Sequence, residues 1–147
     1  MRFTKPLVLF FLLLFAGEGC KKSSSTCTGV PVTAVNFSID LSYVSYNALT
    51  VPGGYVIVSG GYANNGVLIY RFTSSQFFAY DCTCPYDGTT NSKAIVTVQK
   101  TAQTATCPVC GSVFILSSGG VSHGPATCGL KPYTATYDGT SLVTITN

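Results

Sequence analysis

Short segments rich in Val, Ile, Thr, Tyr and Phe recur along the chain, bounded by Gly, Pro, Asn or Asp. Eight such segments of five to eight residues cover 36–43, 54–59, 66–72, 75–80, 93–98, 112–116, 132–137 and 141–146. Several alternate with a period of two, as at Phe37, Ile39, Leu41 and Tyr43. This alternation predicts strands with one inward face. Because no segment has apolar residues at helical spacing over three turns, the pattern predicts an all-β domain, an antiparallel sandwich or barrel.

Two turn signals lie between these segments. Asp138-Gly139 separates the last two segments and predicts a β-hairpin, because this dipeptide tolerates the backbone angles of tight hairpin turns. Asn64-Asn65-Gly66 predicts a second turn for the same reason.

The first nineteen residues are typical of an export signal. Arg2 and Lys5 make the start basic, and residues 7–15 form an unbroken apolar run. A membrane-spanning helix needs about 20 apolar residues, so this run is too short to cross a bilayer. We therefore interpret residues 1–19 as a signal peptide.

Cys20 directly follows Gly19 at the end of this segment. The arrangement resembles the lipobox of bacterial lipoproteins, which implies that Cys20 is lipidated. Residues 20–29 would then form a flexible polar tether, and 30–147 the folded β domain. We expect an exported, membrane-anchored protein that faces the periplasm or the cell surface. The alternative is ordinary signal cleavage that leaves Cys20 free.

The formal charge of +3 does not describe the domain itself. Beyond Lys22, four basic residues balance four acidic ones: Arg71, Lys93, Lys100 and Lys131 against Asp40, Asp81, Asp87 and Asp138. Without a basic cluster, binding to nucleic acid through phosphate contacts is not expected. The domain has no Glu for paired-carboxylate catalysis, and Ser112 has no His and Asp partners to activate it. We predict that the chain is not an enzyme.

Six cysteines follow Cys20, and their spacing is uneven. Four of them form two tight pairs, Cys82-Thr83-Cys84 and Cys107-Pro108-Val109-Cys110, each in a predicted loop. The other two are Cys27 and Cys128. An even number of cysteines in an exported chain favours disulfides. A bond between Cys27 and Cys128 would close a loop of about 100 residues and stabilise the domain by about 4 to 5 kcal/mol.

The loops with paired cysteines resemble those of Rieske iron-sulfur domains. That family carries C-x-H in one loop and C-x-x-H in the next, commonly followed by Gly-Ser, an aromatic residue and a later Gly-Pro-Ala. Here Cys-Pro-Tyr at 84–86 is similar to the first motif, Cys-Pro-Val-Cys-Gly-Ser-Val-Phe at 107–114 to the second, and 124–126 reads Gly-Pro-Ala. The resemblance spans about residues 54–146. It implies the small antiparallel Rieske β-sandwich, a [2Fe-2S] cluster and electron transfer to an unknown redox or surface partner.

The chain departs from that family at both histidine positions. In a Rieske centre two Cys bind one iron and two His bind the other. Tyr86 and Cys110 occupy the histidine positions here, and the only histidine, His123, lies outside both motifs. A cluster with two histidine ligands therefore cannot form.

Three alternatives to a cluster with two histidine ligands remain open on chemical grounds. Cys82, Cys84, Cys107 and Cys110 could form a four-thiolate site for [2Fe-2S]. The same thiolates could capture Zn²⁺ after export. Cys84 could instead form a disulfide with Cys107 or Cys110. The leader lacks a twin-Arg signal, so any cofactor would have to load outside the cytoplasm.

Two functions follow from these alternatives. The first is a lipid-anchored electron-transfer domain with a degenerate ligand set. The second is a cofactor-free, disulfide-stapled lipoprotein that acts as a structural or binding module.

Overall fold

The computed structural model describes residues 29–101 and 103–147. The predicted signal peptide, the lipidation at Cys20, most of the tether and Cys27 lie outside the described residues. Within the described ranges, no helix is long and apolar enough to cross a membrane.

The described chain contains ten strands and two short 3₁₀ helices. The strands are β1 (Asn36–Asp40), β2 (Tyr55–Val58), β3 (Val67–Arg71), β4 (Phe77–Asp81), β5 (Thr97–Val98), β6 (Thr104–Thr106), β7 (Val113–Ile115), β8 (Val121–His123), β9 (Pro132–Tyr137) and β10 (Leu142–Thr146). The 3₁₀ helices are Val44–Thr50 and Tyr62–Asn64. Each of the eight predicted segments overlaps one strand, so the predicted all-β class is confirmed.

The strands form two antiparallel sheets. One sheet has six strands in the order β1-β10-β9-β4-β3-β2, and the other has four in the order β5-β6-β7-β8. Together they form a half-barrel. Tyr43 was expected to continue the inward face of β1, but it is 64% exposed. The reason is that β1 ends at Asp40 and the chain turns into the first 3₁₀ helix.

β3 is buried on both of its faces. Leu68 and Tyr70 point into a core shared with the cysteine loops, and Val67 and Ile69 point into a second core. Alternate residues of a strand face opposite sides of the sheet. The run of apolar residues in β3 is therefore explained by its position as a central strand that is covered on both sides. Burial of each large aliphatic side chain contributes about 1.5 to 3 kcal/mol.

A buried carboxylate holds the end of β4. Asp81 is completely buried, and its Oδ2 accepts hydrogen bonds from the Tyr62 amide at 2.6 Å and the Tyr133 hydroxyl at 2.7 Å. Its Oδ1 accepts one from the Thr83 amide at 2.8 Å. These bonds compensate for the cost of burying the carboxylate. They also tie the start of the first cysteine loop to β9.

Both predicted turns are confirmed. Asp138 Oδ1 accepts hydrogen bonds from three following amides, at 2.8, 3.1 and 3.0 Å, and closes the β9–β10 hairpin. Gly139 has a φ of +87°, which glycine adopts without strain. The second turn contains the 3₁₀ helix Tyr62–Asn64 and ends at Gly66, whose φ is +107°.

Candidate metal centre

The first cysteine loop follows β4 and turns tightly. Thr83 bridges Ile95, and the Cys84 amide bonds the Ala94 carbonyl at 2.9 Å, so the chain stays extended up to Cys84. The Gly88 amide then donates to the Cys84 carbonyl at 2.9 Å and closes the turn Cys84-Pro-Tyr-Asp-Gly88. A Cβ at Gly88 would lie 2.6 Å from the Cys84 carbonyl oxygen. Only glycine fits this position.

The second cysteine loop joins β6 to β7 and closes in the same way. The Gly111 amide donates to the Cys107 carbonyl at 3.0 Å, and the Cys107 amide donates to the Ser112 carbonyl at 2.9 Å. Gly111 has a φ of +76°. We call the turns 84–88 and 107–111 the two Cys-Pro loops.

Four potential ligands from the two Cys-Pro loops converge. The Sγ atoms of Cys84, Cys107 and Cys110 and a carboxylate oxygen of Asp87 all lie within 4.8 Å of one another, so these residues could hold a metal ion. Cys84 Sγ lies 3.7 Å from Cys110 Sγ, and Cys107 Sγ lies 3.7 Å from Asp87 Oδ1. Thiolates and carboxylates are both ligands for Zn²⁺. The structure thus brings together three of the four cysteines proposed as ligands and adds an aspartate.

Backbone amides surround two of the sulfurs. Burial raises the pKa of the Cys84 thiol, whereas hydrogen bonds from the amides of Tyr86 and Asp87 lower it. Burial likewise raises the pKa of Cys107, whereas hydrogen bonds from the backbone amides of Cys110 and Val109 lower it. For both thiols the effect of burial is the larger one, and the pKa is raised overall. A metal ion must therefore displace the thiol protons of Cys84 and Cys107 when it binds. The amides then stabilise the bound thiolates.

Ser112 connects the third sulfur to the protein interior. Ser112 is completely buried, and its Oγ accepts a hydrogen bond from the Ala126 amide at 2.8 Å. Its hydroxyl proton is therefore available to Cys110 Sγ, 3.1 Å away. Burial raises the pKa of Cys110, but the hydrogen bonds from the Ser112 side chain and amide, together with those from Cys107 and Cys84, hold it below its usual value. The sequence indicated no role for Ser112 beyond its place in the motif.

Cys82 does not join this group. Residues two apart on an extended strand face the same side but lie about 7 Å apart, so Cys82 is displaced along the strand from Cys84. It is completely buried, and its Sγ would be 3.6 Å from a Cβ placed on Gly66. Burial raises its pKa to about 12. Cys82 is therefore a core residue, and the structure places Asp87 where the sequence analysis had placed Cys82.

The other residues considered at this site are also accounted for. Tyr86 is 53% exposed at the tip of its loop, and His123 is exposed on β8; neither belongs to the group. Cys82, Cys84, Cys107 and Cys110 are all free thiols, so the predicted disulfides of Cys84 are not formed. Cys128 is disulfide-bonded.

No protein-family model and no curated protein matches the chain. Among solved structures, similarity is found to a ferredoxin, to nitrite reductase small subunits and to the protein NirD. The ferredoxin of carbazole 1,9a-dioxygenase from Nocardioides aromaticivorans IC177 is 16% identical with a TM-score of 0.47, over 79% of this chain and 100% of that one. The chain matched in the complex of reduced oxygenase and oxidized ferredoxin in carbazole 1,9a-dioxygenase is 21% identical with a TM-score of 0.46. This match covers 67% of this chain and 86% of that one.

The NMR structure of the E. coli protein NirD is 17% identical with a TM-score of 0.42, over 77% of this chain and 97% of that one. At these identities and scores, no ligand or activity transfers with the likeness. What this chain shares with these proteins is an antiparallel β architecture.

Proposed function

We propose that this chain is an exported, lipid-anchored electron-transfer domain whose metal is bound by the two Cys-Pro loops. The convergence of three cysteine sulfurs and one carboxylate within 4.8 Å supports the metal site. The order of the Cys-x-x-Cys, Gly-Ser and Gly-Pro-Ala motifs, which resembles that of Rieske domains, supports electron transfer. The lipid on Cys20 and the polar tether would keep the domain at a membrane surface.

The protein's own groups suit such a centre. Amides of both loops point at Cys84 and Cys107, and hydrogen bonds to thiolates raise the reduction potential of an iron–thiolate centre. Ser112 adds one more donor at Cys110. Bound iron would supply a one-electron couple.

The position of the site also suits exchange with a partner protein. Cys84 and Cys107 are buried, while Cys110 is half-buried. Tyr86 and Val109, at the tips of the two loops, are 53% and 42% exposed. The metal would therefore lie just beneath the loop tips, shielded from water but close to the surface.

Metal analysis of the full-length protein purified under anaerobic conditions tests this proposal. We expect bound iron, and visible absorption that bleaches with dithionite and returns on reoxidation. The Cys84→Ser variant should lose the iron, and Cys82→Ser, the matched control outside the group, should keep it. Protein with zinc alone would refute electron transfer, and protein that binds no metal would refute the metal site as well.

The anchor requires a separate test. We expect the full-length protein in the membrane fraction and the Cys20→Ser variant in the soluble fraction after export. Equal membrane retention of both proteins would refute lipid anchoring through Cys20.

One distance favours a second candidate function. Cys84 Sγ and Cys110 Sγ lie 3.7 Å apart, so a small movement would allow a disulfide of about 2.05 Å in an oxidising compartment. The protein would then be a cofactor-free, disulfide-stapled module. Titration of free thiols after removal of metal under non-reducing conditions separates the two. Thiols released by chelation indicate a metal site. Metal-free protein in which two of the four thiols of Cys82, Cys84, Cys107 and Cys110 react only after a reductant is added indicates the staple.

A further inference from the structure

We infer that the two Cys-Pro loops bind a single tetrahedral metal ion, with Asp87 as the fourth ligand, rather than a two-iron cluster. This inference rests on the proposed metal-binding function and specifies its chemistry. The ion is a borderline-soft divalent metal such as Fe²⁺ or Zn²⁺.

Two of the distances between the ligand atoms match the edges of one coordination sphere. Metal–sulfur bonds of 2.3 Å in a tetrahedron place two sulfurs about 3.8 Å apart, and a carboxylate oxygen at 2.0–2.2 Å shortens that edge to about 3.6 Å. The sulfurs of Cys84 and Cys110 are 3.7 Å apart, and the Cys107 sulfur is 3.7 Å from the Asp87 oxygen. These two contacts are opposite edges of the same tetrahedron.

A two-iron cluster does not fit this set of ligands. Ligands on different irons are separated by the metal–metal distance in addition to the bond lengths, so two ligand pairs must stand well apart. All four ligand atoms here lie within 4.8 Å of one another. Cys82 does not belong to this group of ligand atoms, so it does not supply a ligand for a second iron.

The equivalence of the two loops identifies Asp87 as a ligand. The loops read Cys-Pro-Tyr-Asp-Gly and Cys-Pro-Val-Cys-Gly. In each, the glycine amide bonds the first cysteine carbonyl, at 2.9 and 3.0 Å. In each, the sulfur of the first cysteine accepts from the amides two and three residues later. Asp87 thus occupies the position in the first loop that Cys110 occupies in the second.

Each loop therefore contributes one chelating pair with the same spacing. Cys84 and Asp87 come from the first loop, and Cys107 and Cys110 come from the second. A tetrahedral ion with all positions filled by protein is the arrangement of closed metal sites. With one carboxylate oxygen among its ligands, this site is chemically harder, in the sense of hard and soft ligands, than a site with four thiolates.

Cobalt substitution tests the inference in the full-length protein. Metal-free, reduced protein is titrated with Co²⁺, and the intensity of the thiolate-to-cobalt charge-transfer band reports the number of thiolate ligands. We expect one cobalt ion per chain, and one metal ion with no acid-labile sulfide in the protein as purified. Asp87→Cys should keep the metal and raise the band by about a third, from three thiolates to four.

Two further variants separate ligation from folding. Asp87→Ala should weaken cobalt binding more than about 100-fold, because loss of a group that only supports a ligand already costs 10–100-fold. Asp40→Ala, which changes an aspartate that accepts a hydrogen bond from the Ser42 amide at the end of β1, should bind cobalt like the wild type. Urea unfolding of the metal-free variants shows whether each one folds, and Asp87→Cys serves as the informative variant should Asp87→Ala be unfolded.

The outcomes are distinguishable. Two irons and two sulfides per chain would overturn the single-ion site but leave the proposed metal-binding function intact. A band of unchanged intensity in Asp87→Cys, or undiminished affinity in folded Asp87→Ala, would overturn the role of Asp87. Protein that binds no metal at all would overturn the proposed function together with this inference.

Discussion

Replacement of Ser112 by alanine tests the link between the metal site and the core. The Ser112 hydroxyl accepts a hydrogen bond from the Ala126 amide at 2.8 Å and faces Cys110 Sγ at 3.1 Å. Ser112 is completely buried, so water cannot take the place of its hydroxyl. The Ser112→Ala variant therefore leaves a buried amide without a partner and removes the donor from one ligand.

The two losses should appear in different measurements. An unsatisfied buried amide costs about 1–3 kcal/mol. For a domain of about 120 residues, 1 kcal/mol corresponds to about 4 °C in Tm, so the metal-free protein should melt about 4–12 °C lower. Metal affinity should fall about 10–100-fold, as it does when a group that orients a ligand is removed.

Differential scanning calorimetry of the reduced, metal-free protein measures the first effect, and competition with a chromophoric chelator measures the second. Ser38→Ala is the matched control, since its hydroxyl bonds Thr144 at an exposed position; the expected change is below about 0.5 kcal/mol. If Ser112→Ala melts like Ser38→Ala, the buried bond to Ala126 does not stabilise the fold. If its metal affinity equals that of the wild type, the contact with Cys110 does not support the site.

Three other predictions follow from the structure. Tyr133→Phe removes the hydroxyl that bonds the buried Asp81 carboxylate at 2.7 Å and should lower the free energy of unfolding by about 1.5–3 kcal/mol in urea. Gly88→Ala would place a Cβ 2.6 Å from the Cys84 carbonyl oxygen and should abolish metal retention, measured as metal per chain. Burial raises the pKa of Tyr80 to about 12. In the unfolded chain tyrosine releases this proton near pH 10. The contribution of protonated Tyr80 to the free energy of unfolding should therefore be complete below pH 10 and be lost as the pH rises towards 12. Urea unfolding of the metal-free protein at a series of pH values measures this loss.

Each of these predictions has a matched control. Tyr137→Phe removes an exposed hydroxyl bond to Thr140 and should cost less than about 1 kcal/mol. Gly29→Ala meets no atom within 4 Å and should retain metal. Tyr80→Phe should show a shallower loss of stability above pH 10. Equal behaviour of a variant and its control, or equal alkaline slopes for Tyr80→Phe and the wild type, would contradict the corresponding argument.

The strands could be predicted where the alternation of residues was long enough to show. β3, β9 and β10 are five or six residues long and are rich in β-branched and aromatic residues. β6 and β8 have three residues each, Thr-Ala-Thr and Val-Ser-His, and were not predicted. They become strands because both pair with β7, and such pairing depends on tertiary contacts rather than on local preference.

The candidate metal ligands were predicted only where cysteine spacing indicated them. Cys84, Cys107 and Cys110 follow from the paired motifs, whereas Cys82 was proposed as the fourth ligand because it lies two residues before Cys84, and Asp87 was not considered. A signal for Asp87 was present, since Cys-Pro-Tyr-Asp-Gly repeats the pattern of Cys-Pro-Val-Cys-Gly. Comparison of the two loops with each other would have revealed it.

The sequence by itself determined the β class, the two confirmed turns and the two Cys-Pro loops, because each depends on residues that are neighbours along the chain. Only the tertiary structure decided which side chains meet. Cys84 and Cys110 are separated by 26 positions, and their contact depends on how the loop after β4 lies against the loop between β6 and β7. That packing directs Asp87 towards the three sulfurs and leaves Cys82 in the core. The position of each side chain relative to the core depends on how the strands pair and pack in the folded sheets.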